Sequence, residues 1–216
     1  AKNITIGMGK NTQQLNELLT VSHLSLGYTK PLFDDVSFTI DNQDRLLIRG
    51  RNGAGKSSLV RTIISTYREQ APEATIFGGE IRLGTGIRIG EYEQEISGKF
   101  LSMRLEDAVA TAYDEAGVAI EEAKVKSLLA QYLFNPRLDG KQKIANLSGG
   151  QKARFQLIKM LANNPHLLIL DEPTNHLDLP SIEELENSLR TFQGGVLYIS
   201  HDTYFIDQMQ GSVIEM

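Results

Sequence analysis

Uninterrupted apolar runs and helix-spaced runs alternate along most of this chain. Leu46-Leu47-Ile48, Leu167-Leu168-Ile169-Leu170 and Val196-Leu197-Tyr198-Ile199 are continuous apolar segments bounded by turn or charged residues. Runs of this kind read as strands of a parallel sheet covered on both faces. Between them the spacing predicts helices near 57–68, 103–114, 119–133, 149–163 and 181–192. Alternation of strand and helix implies βα units, hence an α/β fold with a mostly parallel sheet. The first 40 residues differ: Val21–Leu26 and Val36–Ile40 are short, β-branched and partly alternating, which predicts an N-terminal antiparallel β layer. Residues 97–146 carry no convincing strand and are mainly amphipathic helix. The expected organisation is a single domain over 1–216, with a core of 1–96 and 147–216 and an inserted helical subdomain of 97–146. The chain opens on Ala1 and stops just after a strand-like Val213-Ile214-Glu215, so it reads as a piece of something longer.

Composition narrows the classes. A chain of 216 residues with 41% hydrophobic and 23% charged positions can bury a sizeable core and is not a disordered segment. No apolar run approaches the ~18 residues of a membrane helix, and the start lacks a signal-peptide core. Zero cysteines exclude a disulfide frame, a thiol nucleophile and a zinc–thiolate site, and fit a reducing cytoplasm. A net charge of -5 removes the simplest nucleic-acid argument, a domain-wide positive field.

The first chemical motif is Gly50-Arg51-Asn52-Gly53-Ala54-Gly55-Lys56-Ser57-Ser58, which fits G-x-x-x-x-G-K-[ST] and lies between a predicted strand and a predicted helix. The glycines let successive N–H groups turn inward around a phosphate, and the helix adds its positive end. Lys56 supplies a point charge and the Ser57 hydroxyl a Mg²⁺ ligand. This is the pattern of a nucleoside triphosphate site. The second motif is Leu147-Ser148-Gly149-Gly150-Gln151, opening the helix at 149. Ser148 and Gln151 satisfy a capping box, yet two glycines in a first turn weaken a helix by about 1 kcal/mol each. They make sense where a phosphate must approach the N–H groups closely. The third is the apolar strand ending in Asp171-Glu172. Asp171 at a strand end is placed to hold Mg²⁺, and Glu172 to face an attacking water as general base.

Phosphate loop, LSGGQ and Leu-Leu-Ile-Leu-Asp-Glu together resemble the nucleotide-binding domain of an ATP-binding cassette (ABC) protein, a P-loop NTPase, over about Val21–Met216. Glu172-Pro173-Thr174-Asn175-His176-Leu177-Asp178 and Ser200-His201-Asp202-Thr203-Tyr204-Phe205 are similar to the F subfamily, whose members carry two cassettes on one chain, lack a membrane domain and mostly act on ribosomes. Thr203 stands where that subfamily commonly has Arg. The segment before Val21, and the lack of an inserted helical arm before Gln94, resemble the second cassette more than the first.

The resemblance implies further roles. His201 becomes the switch residue at the γ-phosphate, Gln94 the glutamine that reaches Mg²⁺ and water, and Tyr28 the aromatic that stacks on adenine, worth about 1–3 kcal/mol by analogy with base stacking. Asn52, Gly53, Ala54, Gly55, Lys56, Ser57 and Ser58 cradle the nucleotide, while Ser148, Gly149, Gly150 and Gln151 bind the nucleotide of an opposite cassette. Asp178 matches an aspartate at the domain interface, or caps the helix near Ser181. His23, His166 and His176 have no comparable placement.

The function so implied is Mg-ATP binding and hydrolysis by an ATP-driven clamp with a second cassette, in ribosome-associated translation control or antibiotic resistance. ATP and Mg²⁺ are the implied cofactors. The partners are a second cassette, or an ATP-dependent second copy of this chain, and the ribosome or its RNA through segments not in this sequence. No membrane insertion is expected. The energising subunit of a membrane transporter, a chromosome-organising head and a nucleotide-gated module with slow hydrolysis stay open as alternatives.

Overall fold

The computed structural model describes residues 17–93, 95–175, 177 and 179–216, apart from the side chains of Pro180 and Glu184. Five strands form one sheet in the order β5 (Ile89–Tyr92), β6 (Leu167–Asp171), β7 (Gly195–Ile199), β3 (Arg45–Arg49) and β8 (Ser212–Glu215). Every pairing in it is parallel. A second, antiparallel sheet has the order β2 (Pro31–Ile40), β1 (Leu19–Gly27), β4 (Thr75–Leu83). The expected α/β architecture, with its N-terminal antiparallel layer, is what the chain adopts.

The parallel strands are apolar throughout because the alternation of their side chains feeds two separate cores. Leu47, Leu168, Leu170, Val196 and Tyr198 point to a core shared with the helices. Their neighbours Leu46, Ile48, Leu167, Ile169, Leu197 and Ile199 point the other way, to a core built with α1 (Lys56–Tyr67) and the antiparallel layer. Burial of this kind contributes about 1.5–3 kcal/mol per large side chain.

The segment expected to be helical contains α2 (Gly98–Leu101), α3 (Leu105–Glu115), α4 (Glu122–Gln131) and a 3-10 turn at Ile144–Asn146. Its two ends run side by side: Leu105 N–H donates to Gln142 O (2.8 Å), and Ile144 N–H donates to Met103 O (3.0 Å). Phe100 and Phe155 meet edge to face at 5.5 Å, tying α2 to α5 (Gly149–Met160). α6 (Leu179–Thr191) and α7 (Thr203–Met209) complete the helices. Arg45 closes the far end of α6, its guanidinium donating to Phe192 O (2.6 Å), Gly194 O (2.8 Å) and Leu189 O (3.2 Å). Among the described residues no helix is long and apolar enough to cross a membrane.

The sequence pattern missed β4, β5 and α7. The burial pattern of β4 shows mostly exposed side chains and the strand contains Gly78-Gly79, so it shows no apolar alternation. β5 is four residues long with a glycine inside, and α7 is seven residues long.

Glu186 on α6 is 5% exposed, and its Oε1 has no hydrogen-bond partner. Burial pushes its carboxyl pKa above the usual value, Asp202 and Glu183 push it further up, and Arg190 opposes them. A raised folded-state pKa means that stability is lost as pH rises from the unfolded value near 4.5. Glu186→Gln is therefore expected to melt above the parent at pH 7.5, with the gap narrowing toward pH 4.5. A gap that is constant with pH, or reversed, contradicts this account of the buried carboxyl.

Candidate functional site

Parallel strands end together, so the segments that follow β3, β6 and β7 emerge on one edge of the sheet. There they enclose a cavity of about 620 Å³, within the ordinary range for a small-molecule site. After β3 comes the phosphate loop. Gly53 and Gly55 are both left-handed (φ +82° and +98°), a backbone region that side chains disfavour. A Cβ on Gly55 would lie 2.8 Å from the Phe33 ring and 3.2 Å from Leu32 Cβ, whereas one on Gly53 would meet nothing within 4 Å. Gly55 also starts α1 with no side-chain cap, so the first-turn N–H groups are left to an anion. Lys56 is 8% exposed, and its ammonium donates to Gly50 O (2.8 Å) and Arg51 O (3.1 Å). That leaves one of its three N–H donors for the cavity.

After β6, Glu172 takes a left-handed conformation (φ +49°), a cost of about 1–3 kcal/mol for a residue with a side chain. Its N–H donates to Ile199 O (3.0 Å), which extends the β6–β7 ladder beyond the Asp171–Ile199 pair. The turn is thus held by the sheet, and the Glu172 side chain faces His201, two residues past the end of β7. His201 N–H donates to Glu172 Oε2 (3.3 Å), and His201 Nε2 lies 3.4 Å from Glu172 Oε1. Asp202 fixes that corner by capping α7, its Oδ1 accepting from Phe205 N–H (3.1 Å). On the opposite wall Tyr28, 48% exposed, places its hydroxyl 3.3 Å from Ser58 Oγ.

The cavity thus brings together Tyr28, Asn52, Gly53, Gly55, Lys56, Ser57, Ser58, Glu172 and His201. Ala54 is buried within the loop's turn, its N–H donating to Arg51 O (3.2 Å), and does not line the cavity. Asp171 ends β6 half-buried, next to Glu172 but not on the wall. Leu32, Asn175 and Ile199 also line it. Asn175 stands three residues after Glu172, and its N–H donates to Glu172 O (3.2 Å). Gln94, His176 and Asp178 lie outside the described residues.

Ser148, Gly149, Gly150 and Gln151 stand apart from this cavity, at the N-terminus of α5. The capping box is formed there: Gln151 N–H donates to Ser148 Oγ (3.2 Å), and Ser148 N–H donates to Gln151 Oε1 (3.0 Å). Gly149 lines a second cavity, of about 420 Å³, which shares Glu172 and Asn175 with the first. His166 is structural: its Nδ1 accepts from Arg88 N–H (3.0 Å), joining the starts of β5 and β6. Burial and the nearby Arg88 both lower its pKa.

A family model described as ABC transporter matches residues 33–175. The chain is 35% identical over 201 residues to ABC transporter F family member 2 of Arabidopsis thaliana, a match covering 92% of this chain and 28% of that protein. It is 32% identical over 201 residues to the energy-dependent translational throttle protein EttA of Escherichia coli (strain K12), covering 93% of this chain and 35% of that protein. Among solved structures, the ATP-binding subunit of an ABC transporter superposes with a TM-score of 0.74 at 25% identity, covering 92% of this chain and 85% of that one. The chain spans about a third of the length of the curated relatives it matches.

The two left-handed glycines of the loop make different demands. Gly53→Ala meets backbone strain alone, whereas Gly55→Ala adds a clash with the Phe33 ring. Overpacking of that kind costs about 1–3 kcal/mol. Without nucleotide, Gly55→Ala is therefore expected to melt below Gly53→Ala by about 2–4 °C or more. Equal melting temperatures contradict the packing of the loop on Phe33.

Proposed function

This chain belongs to the ABC transporter family of ATP-binding domains, and from that premise we propose that it binds Mg-ATP and hydrolyses it as one cassette of an F-type clamp. The observation that carries this reading is the single cavity in which Lys56 and the phosphate loop face Glu172 and His201. The loop N–H groups and the remaining Lys56 donor hold the β- and γ-phosphates, and Tyr28 stacks on the adenine. Glu172 accepts the proton of a water that attacks the γ-phosphorus in line, and His201 offers its ring N–H to the charge that develops on the γ-phosphate oxygens.

Among the described residues no group of three His, Asp or Glu side chains forms a metal cage. The oxygen donors Ser57 and Asp171 fit Mg²⁺, a hard cation usually held by one or two carboxylates together with substrate phosphates. When bound, that ion neutralises charge between the phosphates. Gln94 and Asp178 are assigned by the resemblance to the metal and water and to the cassette interface. Residues 97–146 serve as the helical subdomain, which packs on the signature helix α5 of the core through Phe100 and Phe155.

Ser148–Gln151 lie outside the chain's own cavity, which supports a role toward the nucleotide of a second cassette, so that ATP closes a head-to-tail pair and hydrolysis reopens it. The F-family relatives support this over a transporter subunit, and the translational throttle relative supports a ribosomal target in a cytoplasmic protein acting in translation control or antibiotic resistance.

Glu172→Gln is expected to retain ATP binding, to lower hydrolysis by about 10²–10⁴, and to accumulate an ATP-dependent pair seen by light scattering. Adding Ser148→Arg is expected to dissolve that pair while ATP still binds, and Lys56→Ala to weaken ATP binding at least tenfold with little change in melting. Parent-like hydrolysis by Glu172→Gln contradicts the assigned base. A pair that survives Ser148→Arg contradicts the role of the signature helix.

A further inference from the structure

Gln151 uses both ends of its side-chain amide. Its Oε1 accepts from Ser148 N–H (3.0 Å), and its Nε2 donates to Asp139 Oδ1 (3.4 Å). A glutamine amide can be turned either way, with oxygen and nitrogen exchanged. An ionised carboxylate only accepts, so Asp139 draws the –NH₂ and leaves the oxygen for Ser148. Asp139 and the Ser148 N–H, which can only donate, thus hold the Gln151 amide from both ends in one orientation. With Ser148 Oγ accepting from Gln151 N–H (3.2 Å), the hydroxyl proton of Ser148 is left as a donor.

Asp139 is itself held. Asn135 N–H donates to its Oδ2 (2.7 Å) and Gln142 Nε2 to its Oδ1 (3.3 Å). Its own N–H donates to Asn135 O (2.8 Å), and its carbonyl accepts from Gln142 N–H (2.9 Å). The next residue is fixed too: Gly140 O accepts from Glu106 N–H (3.0 Å) at the start of α3, and a Cβ there would fall 2.4 Å from Pro136 O. The turn at 135–142 is therefore a rigid bracket that presents one carboxylate to Gln151.

We infer that Asp139 is a positioning residue of the signature helix, setting the Gln151 amide so that Ser148 directs its hydroxyl at the nucleotide of the second cassette. The inference rests on the proposed function, because it needs the signature helix to work on a partner. Asp139 touches no nucleotide and acts through Gln151.

The test uses the Glu172→Gln chain with saturating Mg-ATP and measures pairing by light scattering. Asp139→Ala is expected to weaken pairing about tenfold, the scale of one hydrogen bond to a charged group, and Gln151→Ala, which also loses the bond to Ser148 N–H, by at least as much. The double variant matches Gln151→Ala, because Asp139 acts only through Gln151. ATP affinity at the chain's own loop is expected to stay unchanged, while amide exchange at Ser148 and Gln151 speeds up in Asp139→Ala. Asp139→Asn, whose amide can donate as well as accept, is expected to weaken pairing measurably but less than Asp139→Ala, and should the alanine variant fail to fold, parent-like pairing by Asp139→Asn overturns the inference. Losses that add in the double variant, or pairing unchanged by Asp139→Ala while Ser148→Arg abolishes it, overturn the inference. Pairing that survives Ser148→Arg overturns the proposed function, and this inference with it.

Discussion

The candidate site depends on the parallel ladder of β6, β7 and β3, and above all on its last rung. Asp171 pairs with Ile199 in register, and the next N–H, from Glu172, still finds the Ile199 carbonyl at 3.0 Å. That bond holds Glu172 in a backbone conformation that a residue with a side chain otherwise avoids. With the turn fixed, the Glu172 carboxylate lies against His201, which leaves β7 one strand away, while β3 on the other side of β7 delivers the phosphate loop. The phosphate loop, Glu172 and His201, the first more than a hundred residues before the other two, meet because their strands are neighbours and point the same way.

The same sheet separates two kinds of work. One face is sealed by α1 and the antiparallel layer, which brings Tyr28 and Phe33 to the loop: Tyr28 as a wall of the cavity, Phe33 as the surface on which Gly55 rests. The other face carries the helices, and through them α5 with its capped N-terminus. Glu93, just beyond β5, connects the two. Its carbonyl accepts from Gln156 Nε2 (2.7 Å) and its carboxylate pairs with Lys159 (2.6 Å), both on α5. α5 is thus anchored at one end by the turn at 135–142 and along its length by Glu93, just beyond β5.

Much of this was legible in the residues. The runs at Leu46, Leu167 and Val196 are strands because both faces are buried, and the phosphate loop, Asp171-Glu172 and His201 fall at the ends of those strands as the spacing implied. What escaped the pattern had no periodic signal. β4 is largely exposed and β5 is too short to show a period. The left-handed turn at Glu172 is imposed by tertiary pairing, since glutamate has no local preference for it. Asn175 sits on the cavity wall inside a motif whose chemistry drew attention to its neighbours. The bracket at Asp139 could not be read from sequence, because an acid in a loop is ordinarily solvated and only the fold shows that it faces Gln151.

The most direct measurement of the central claim, that one cavity at the strand ends holds a nucleoside triphosphate, is amide hydrogen exchange with and without Mg-ATP. Exchange reports local opening residue by residue, so a bound ligand marks the backbone that it touches. The account predicts that ATP slows exchange at Gly53–Ser58 and at the Glu172 turn and His201, on walls that come from separate parts of the chain. Protection confined to the phosphate loop, or strongest at a surface away from these strand ends, would contradict it.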